Sequence, residues 1–161
     1  MHIDGTGPTA LILSRQKLPV LANSADRAPA GVPKGAYTLV DEPAHDLDVV
    51  LVGTGSEVSV CVEAAALLAT EGIGARVVSM PSWDLFATQD DDYRSSVLPA
   101  GIPKLSVEAG VTFGWERWVD TSIGIDHFGA SAPGSTVLAE FGFTAENVAD
   151  HARSLIAGVH R

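Results

Sequence analysis

The 161-residue sequence contains a single cysteine, few aromatic residues and half as many basic as acidic residues. Because Cys61 has no second cysteine to pair with, an internal disulfide framework is excluded, which favours a reducing compartment. Ten Lys and Arg against 20 Asp and Glu give a net charge of −10, which disfavours nucleic acid and anionic membranes as partners. The sequence has no apolar run long enough to span a membrane and no basic-then-apolar secretory signal. We therefore expect a cytoplasmic protein that binds neither nucleic acid nor membranes.

Apolar side chains, by contrast, are plentiful. Hydrophobic residues make up 46% of the sequence, a share typical of a folded globule rather than a disordered chain. A chain of 161 residues can bury one core of ordinary size and has little left for a second. The composition therefore predicts one main domain.

Residues 17–34 differ from the rest of the chain. They contain Pro19, Pro29, Gly31 and Pro33 and few apolar residues at regular spacing, which predicts an extended linker. This linker divides the sequence into a stub at residues 1–16 and a compact domain at residues 35–161.

Within that domain, apolar runs alternate with helical patterns. The runs predict strands at residues 37–40, 48–52, 76–79, 104–108 and 122–125. Helical spacing predicts helices at residues 57–71, 84–97 and 145–157, and a short helix around 114–119. Such alternation predicts an open α/β sheet of about five strands, mostly parallel, with helices on both faces. Only about seven residues join the first two strands, too few for a crossover helix, so one strand should be antiparallel.

Several stretches resemble ligand-binding motifs, but their residues do not have the spacing that those motifs require. Residues 53–58 follow a buried strand, as a dinucleotide fingerprint does, yet Val58 replaces the third glycine, and Thr54 with Glu57 forms a capping-box pattern instead. The acidic run at residues 90–92 lacks the glycine and glutamate of a calcium loop, and the five histidines lack zinc spacing. We therefore predict no catalytic, cofactor-binding or metal-binding residue in this chain.

One candidate binding residue remains, Arg15. The apolar run at residues 10–13 ends at Ser14, Arg15 and Gln16, so a buried strand would present a guanidinium at its carboxyl end, where open α/β sheets contact ligands. A guanidinium suits phosphate because its planar fork donates paired, charge-assisted hydrogen bonds. The alternative is that Arg15 only caps the strand or pairs with a surface carboxylate.

Beyond Arg15, short sequence motifs occur along nearly the whole chain, and their order is informative. They lie at residues 9–16, 18–19, 35–40, 51–58, 80–86, 89–90, 93–94, 96–99, 108–110, 114–115 and 128–133. From about residue 8 to about residue 157, the sequence resembles the C-terminal portion of transketolases: the end of the pyrimidine-binding domain followed by the C-terminal domain.

The resemblance implies part of an enzyme of the pentose phosphate pathway. Transketolases transfer a two-carbon ketol unit between ketose and aldose phosphates, using thiamine diphosphate and a divalent metal, usually Mg²⁺, and act as homodimers. The residues that hold the cofactor and the catalytic histidines belong to regions upstream of the matched part. Arg15 matches the arginine that grips the substrate phosphate. The resemblance thus implies a substrate-binding residue and a domain that supports the dimer, and an isolated chain that is inactive and binds no cofactor.

Two other functions stay open at this point. Related thiamine-dependent enzymes share the fold, and although the Ser-Arg-Gln triplet and residues 128–133 favour transketolase over deoxyxylulose-phosphate synthases and oxo-acid dehydrogenase E1 subunits, dihydroxyacetone synthase remains possible. The chain could also act alone as a regulatory or ligand-binding module.

Overall fold

The structure is a computed structural model that describes residues 9–14, 16–43 and 46–159. Its sheet has five strands, which are β1 (Tyr37–Val40), β2 (Leu47–Gly53), β3 (Gly74–Ser79), β4 (Lys104–Val107) and β5 (Thr121–Ile123). Their order across the sheet is β1-β3-β2-β4-β5. β1 runs antiparallel to β3, and the other neighbouring strands are parallel. The predicted mixed α/β sheet is therefore confirmed.

Helices cover both faces of this sheet. They are α1 (Ser24–Gly31), α2 (Glu57–Thr70), α3 (Trp83–Ala87), α4 (Asp91–Val97), α5 (Gly134–Glu140) and α6 (Ala145–Val159), with 3₁₀ turns at Val32–Lys34 and Trp115–Arg117. Among the described residues, none of these helices combines the length and the apolar character needed to cross a membrane.

The central strand β2 has two buried faces because apolar residues fill both of them. Val49 and Leu51 join the core formed with α2 and α6, whereas Val50 and Val52 join the core formed with α3 and α4. This burial on both faces explains why residues 49–52 of the strand form a continuous apolar run rather than an alternating one. The expected antiparallel edge strand is confirmed as β1, but its partner is β3 and not β2, the strand to which the short connection leads.

The segment predicted as an extended linker contains α1. Arg27 of this helix donates to the Thr38 carbonyl, 3.1 Å away, and pairs with Asp41, so α1 packs beside β1. Pro29 lies inside the helix, which is the reason the sequence pattern argued against one. The extended conformation predicted for residues 17–34 is therefore wrong over α1. The domain boundaries predicted after residues 16 and 34 stay a prediction.

The single helix predicted at residues 84–97 is also wrong, because the structure has two. The Ser82 hydroxyl accepts from the Leu85 amide at 3.3 Å and begins α3, and the Asp90 carboxylate accepts from the Tyr93 amide at 2.7 Å and begins α4. Two N-caps within one apolar pattern start two helices, since each cap satisfies amides that a continuous helix would bond itself.

A half-buried ion pair ties the loop after β1 to β3. Arg76 donates to both carboxylate oxygens of Glu42 at 2.9 Å and also bonds the Ser96 carbonyl. The hydrogen bond from Arg76 lowers the pKa of Glu42 below its ordinary value of 4.5. A carboxylate with a lowered pKa in the folded state stabilises the fold above the unfolded pKa and loses that contribution as the pH falls.

We therefore expect Glu42→Gln to lower the free energy of unfolding by about 1 kcal/mol near neutral pH. The difference in the free energy of unfolding between the variant and the unsubstituted chain should shrink as the pH falls below 4.5 and past the lowered pKa of Glu42 in the folded state. Urea unfolding across this pH range measures it. The matched control is Glu63→Gln on the exposed side of α2, where the described residues offer no ion pair. A difference that persists undiminished at acid pH would contradict this account.

Candidate functional site

Arg15, the predicted substrate-binding residue, lies outside the described residues. Its neighbours Ser14 and Gln16 are described and exposed. A Cβ atom added at Gly55 would lie 3.9 Å from the Ser14 hydroxyl oxygen. Ser14 therefore lies beside the turn that follows β2, at the carboxyl edge of the sheet, where α/β proteins commonly bind ligands.

The turn between β2 and α2 is built by close packing. A Cβ atom at Gly53 would come within 2.9 Å of the Val58 Cα and 3.1 Å of the Cys61 sulfur, so only glycine fits between strand and helix. The Glu57 and Ser59 amides donate to the carbonyls of Thr54 and Ser56. Two amides that would face a phosphate are thus bonded within the turn itself.

The capping box predicted for Thr54 and Glu57 is absent from this turn. The residue before α2 is Ser56, and its hydroxyl donates to the Glu57 carboxylate at 2.6 Å rather than capping a helix amide. Glu57 is buried, which explains why its side chain bonds a neighbouring hydroxyl instead of reaching back along the chain. The turn is closed by a backbone hydrogen bond from Glu57 to Thr54.

Cys61, one turn further along α2, is fully buried in the core. Burial, together with the nearby charge of Glu57, raises the pKa of the Cys61 thiol. Because the thiolate is the nucleophilic form, a buried thiol of this kind is inert and contributes packing only.

Three motifs that are far apart in the sequence meet in one packed cluster at the carboxyl edge. Trp115 is buried, and its indole nitrogen donates to the Glu108 carboxylate at 2.8 Å. Trp83 packs edge-on against Trp115 with ring centroids 4.9 Å apart. Gly114 allows this approach, since a Cβ atom there would lie 2.8 Å from the Trp83 ring. These residues therefore hold the loops in place and present no reactive group.

The loops after β4 and β5 are joined by Asp126. Its carboxylate accepts from the Thr112 amide at 2.8 Å and from the Thr112 hydroxyl at 2.7 Å. These bonds, the one from the amide first, hold the pKa of the Asp126 carboxyl below its usual range. No spacing in the sequence indicated this pair, because the residues come from two different loops.

The same edge exposes large apolar side chains. Phe113 is 84% exposed and Phe128 98% exposed, on the two loops that Asp126 joins, and Val111 is also exposed. Leu11, Ile12 and further apolar residues of the segment before α1 are exposed as well. Large apolar side chains that are this exposed are candidates for contact with a partner or another domain.

We tested the described residues for two features of a cofactor site, a metal-binding cluster and an open phosphate-binding turn. Within residues 9–14, 16–43 and 46–159, no group of three or more His, Cys, Asp or Glu side chains is placed to hold a metal ion. The one turn with the position of a phosphate site bonds its own amides. The described part of the carboxyl edge thus combines a turn that bonds its own amides with exposed apolar side chains.

Comparison with known proteins identifies the fold. Residues 35–144 match the family model of the transketolase-like (TK) C-terminal domain, which covers more than half of the chain. The chain belongs to this family. The resemblance to transketolases predicted from the sequence motifs is thereby confirmed.

Individual transketolases extend the similarity beyond this domain. The transketolase of Bacillus subtilis (strain 168) is 46% identical over 153 residues, which are 92% of this chain and 23% of the relative. The chain thus spans less than a quarter of the length of that relative. Transketolase structures from Leishmania mexicana (48% identity, TM-score 0.77) and Pichia stipitis (42% identity, TM-score 0.80) match 81% and 89% of this chain but only 19% and 20% of their own chains.

Proposed function

We propose that this chain forms the C-terminal part of a transketolase, which transfers a two-carbon ketol unit between ketose and aldose phosphates. The observation that carries the proposal is the similarity to the Bacillus subtilis transketolase, which covers 92% of the chain and so extends beyond the C-terminal domain alone. The Pichia stipitis transketolase structures include complexes with xylulose-5-phosphate and sedoheptulose-7-phosphate. These complexes support sugar phosphates as the substrate class.

In this proposal Arg15 holds the phosphate of the substrate. The position of Ser14 beside the β2–α2 turn supports it, because this turn lies at the carboxyl edge of the sheet. A charge-assisted grip on a phosphate remote from the reacting carbon would orient the sugar and reduce the entropy lost on reaching the transition state.

The domain at residues 35–161 supports the rest of the enzyme in this proposal. The exposed side chains of Val111, Phe113 and Phe128 would be covered by the other domains or by the second subunit of a cytoplasmic homodimer. Burying such side chains stabilises an interface by roughly 1.5–3 kcal/mol for each large residue.

Thiamine diphosphate and Mg²⁺ would be held by the remainder of the enzyme. When bound, the cofactor supplies the electron sink for breaking the carbon–carbon bond. In this proposal the chain itself makes no contact with the cofactor. The β2–α2 turn agrees with this, because two of its amides already donate to carbonyls within the turn.

We expect the isolated 161-residue chain to fold, to bind no thiamine diphosphate and to transfer no ketol units. Isothermal titration calorimetry with thiamine diphosphate and Mg²⁺ should give only the heat of dilution, and circular dichroism should show a cooperative thermal transition. The positive control is full-length Bacillus subtilis transketolase under the same conditions. Saturable micromolar binding to the isolated chain would overturn the proposal and favour a stand-alone ligand-binding module.

A further inference from the structure

Three basic side chains converge at the opposite edge of the sheet, around a surface cavity of about 300 Å³. Lys104 is the first residue of β4, Arg94 lies on α4, and Arg117 lies on the 3₁₀ turn before β5. These elements are separated in the sequence: Arg94 lies in the connection from β3 to β4, and Arg117 lies in the connection from β4 to β5, so the fold brings the three charges together. We call this site the cationic cavity.

The charge balance makes this convergence unusual. The chain carries half as many basic as acidic residues, and Arg27, Arg76 and Arg153 pair with carboxylates elsewhere on the surface. In the described part of the chain, Lys104 and Arg117 have no carboxylate within ion-pair distance. Two basic side chains without a carboxylate therefore line one cavity in an acidic protein.

The acidic residues next to Lys104 and Arg117 accept hydrogen bonds from backbone amides and form no ion pair with these two side chains. The Asp120 carboxylate accepts from the backbone amide of Lys104, and the Glu116 carboxylate accepts from the Gly114 amide. Asp91 pairs with Arg94, which is the one basic residue of the three that has a carboxylate partner. Neither Lys104 nor Arg117 forms an ion pair among the described residues, and the Lys104 ammonium donates to the Ile102 carbonyl at 2.7 Å, a neutral acceptor that leaves its charge uncompensated.

The walls of the cavity add an aromatic surface and further polar groups. Phe86 and Trp118 line it, and the Arg117 guanidinium lies 4.7 Å from the centre of the Trp118 ring. The Ser95 side chain also lines it. The indole nitrogen of Trp118 is buried, and within the described residues it has no hydrogen-bond acceptor, which is rare for a buried donor.

We propose that the cationic cavity binds a small phosphate ester that carries an aromatic or apolar group. Arg117 and Lys104 would bond the phosphate oxygens, as guanidinium and ammonium groups do in phosphate sites generally. The remainder of the ligand would lie against Phe86 and Trp118, and the cavity volume suits a small molecule rather than a polymer. The proposal adds a binding site to a domain whose proposed function needs none.

The test is a titration of the ¹⁵N-labelled 161-residue chain with phenyl phosphate, with inorganic phosphate and with phenol, followed by NMR. Phenyl phosphate should shift the amide signals of α4 and of residues 104 and 117 saturably, together with the indole signal of Trp118. Inorganic phosphate should bind more weakly at the same signals, and phenol should not produce the shifts at Lys104 and Arg117. Arg117→Gln and Lys104→Gln should each raise the dissociation constant for phenyl phosphate about 10-fold.

Lys17→Gln is the matched control, because it removes one exposed positive charge far along the sequence from the cavity and should leave the dissociation constant unchanged. Thermal unfolding of each variant verifies that it is folded. The proposal is overturned if phenyl phosphate gives no saturable shifts, if the shifts arise elsewhere on the chain, or if folded Arg117→Gln and Lys104→Gln bind as tightly as the control.

Discussion

We expect Arg15→Ala to lower kcat/KM for phosphorylated sugars by about 10- to 150-fold in a full-length transketolase that carries this chain as its C-terminal part. The factor corresponds to the loss of one charge-assisted hydrogen bond to phosphate, about 1.5–3 kcal/mol. Because the phosphate is bound in both the ground state and the transition state, most of the loss should appear in KM. Steady-state kinetics with a ketose phosphate donor and an aldose phosphate acceptor measures it.

Substrates without a phosphate provide the decisive control for Arg15. A donor and an acceptor that both lack phosphate should react at nearly the same rate in the Arg15→Ala enzyme, since the guanidinium has nothing to hold. Arg15→Lys should retain part of the affinity through its charge, and Lys17→Ala should change neither constant. Equal losses with both kinds of substrate would make Arg15 a structural residue.

The second large effect concerns stability. We expect Trp115→Ala to lower the free energy of unfolding by about 3–5 kcal/mol, because it empties a large buried site. Trp115 is 1% exposed, packs edge-on against Trp83 and donates to Glu108, so the substitution removes core volume, an aromatic contact and a charge-assisted hydrogen bond together. Urea unfolding of the isolated chain measures the change.

Two variants separate these contributions. Trp115→Phe keeps most of the volume but leaves the Glu108 carboxylate without its donor, and should cost about 1–3 kcal/mol. Phe113→Ala is the matched control two residues away, and because that ring is 84% exposed its removal should change the free energy by less than about 0.5 kcal/mol. If Trp115→Ala lowered the free energy of unfolding no more than Phe113→Ala, the packed cluster of Trp83, Trp115 and Glu108 would not be what stabilises the loops at the carboxyl edge.

The strands could be predicted from the sequence because their apolar runs are distinct, most clearly in the inner strand β2, which is buried on both faces. β2 is apolar without interruption from Val49 to Val52, and its observed bounds differ from the predicted ones by one residue at each end. Helix α2 was equally clear, since its buried side chains recur at helical spacing and Gly72 follows with a positive φ.

The helices that the sequence pattern missed or merged depend on local bonds rather than on periodicity. Ser82 and Asp90 divide the region after β3 because each side chain bonds an amide three residues on. α1 was missed because Pro29 argued against it, whereas the contacts of Arg27 with β1 are tertiary and leave no mark in the local sequence. α5, which follows Pro133, has no buried residue and hence no apolar stripe to predict it.

The candidate sites also differ in how far the sequence alone predicts them. Arg15 could be proposed from the sequence, since a strand that ends in polar residues and the family motif both point to it. The cationic cavity could not, because Arg94, Lys104 and Arg117 share no motif and meet only through the order of the strands. The Trp115–Glu108 bond was likewise unpredictable, although both residues stood within family motifs.

The most direct test of the central proposal is ketol transfer by a hybrid enzyme. In this hybrid, the homologous C-terminal residues of Bacillus subtilis transketolase are replaced by this chain, which matches 153 residues of that enzyme at 46% identity. We expect the hybrid to bind thiamine diphosphate and to transfer a ketol unit from xylulose 5-phosphate to an aldose phosphate, whereas the same enzyme truncated before the replaced part should transfer no ketol unit. A folded hybrid that binds the cofactor but transfers no ketol unit would contradict the assignment of this chain as the C-terminal part of a transketolase.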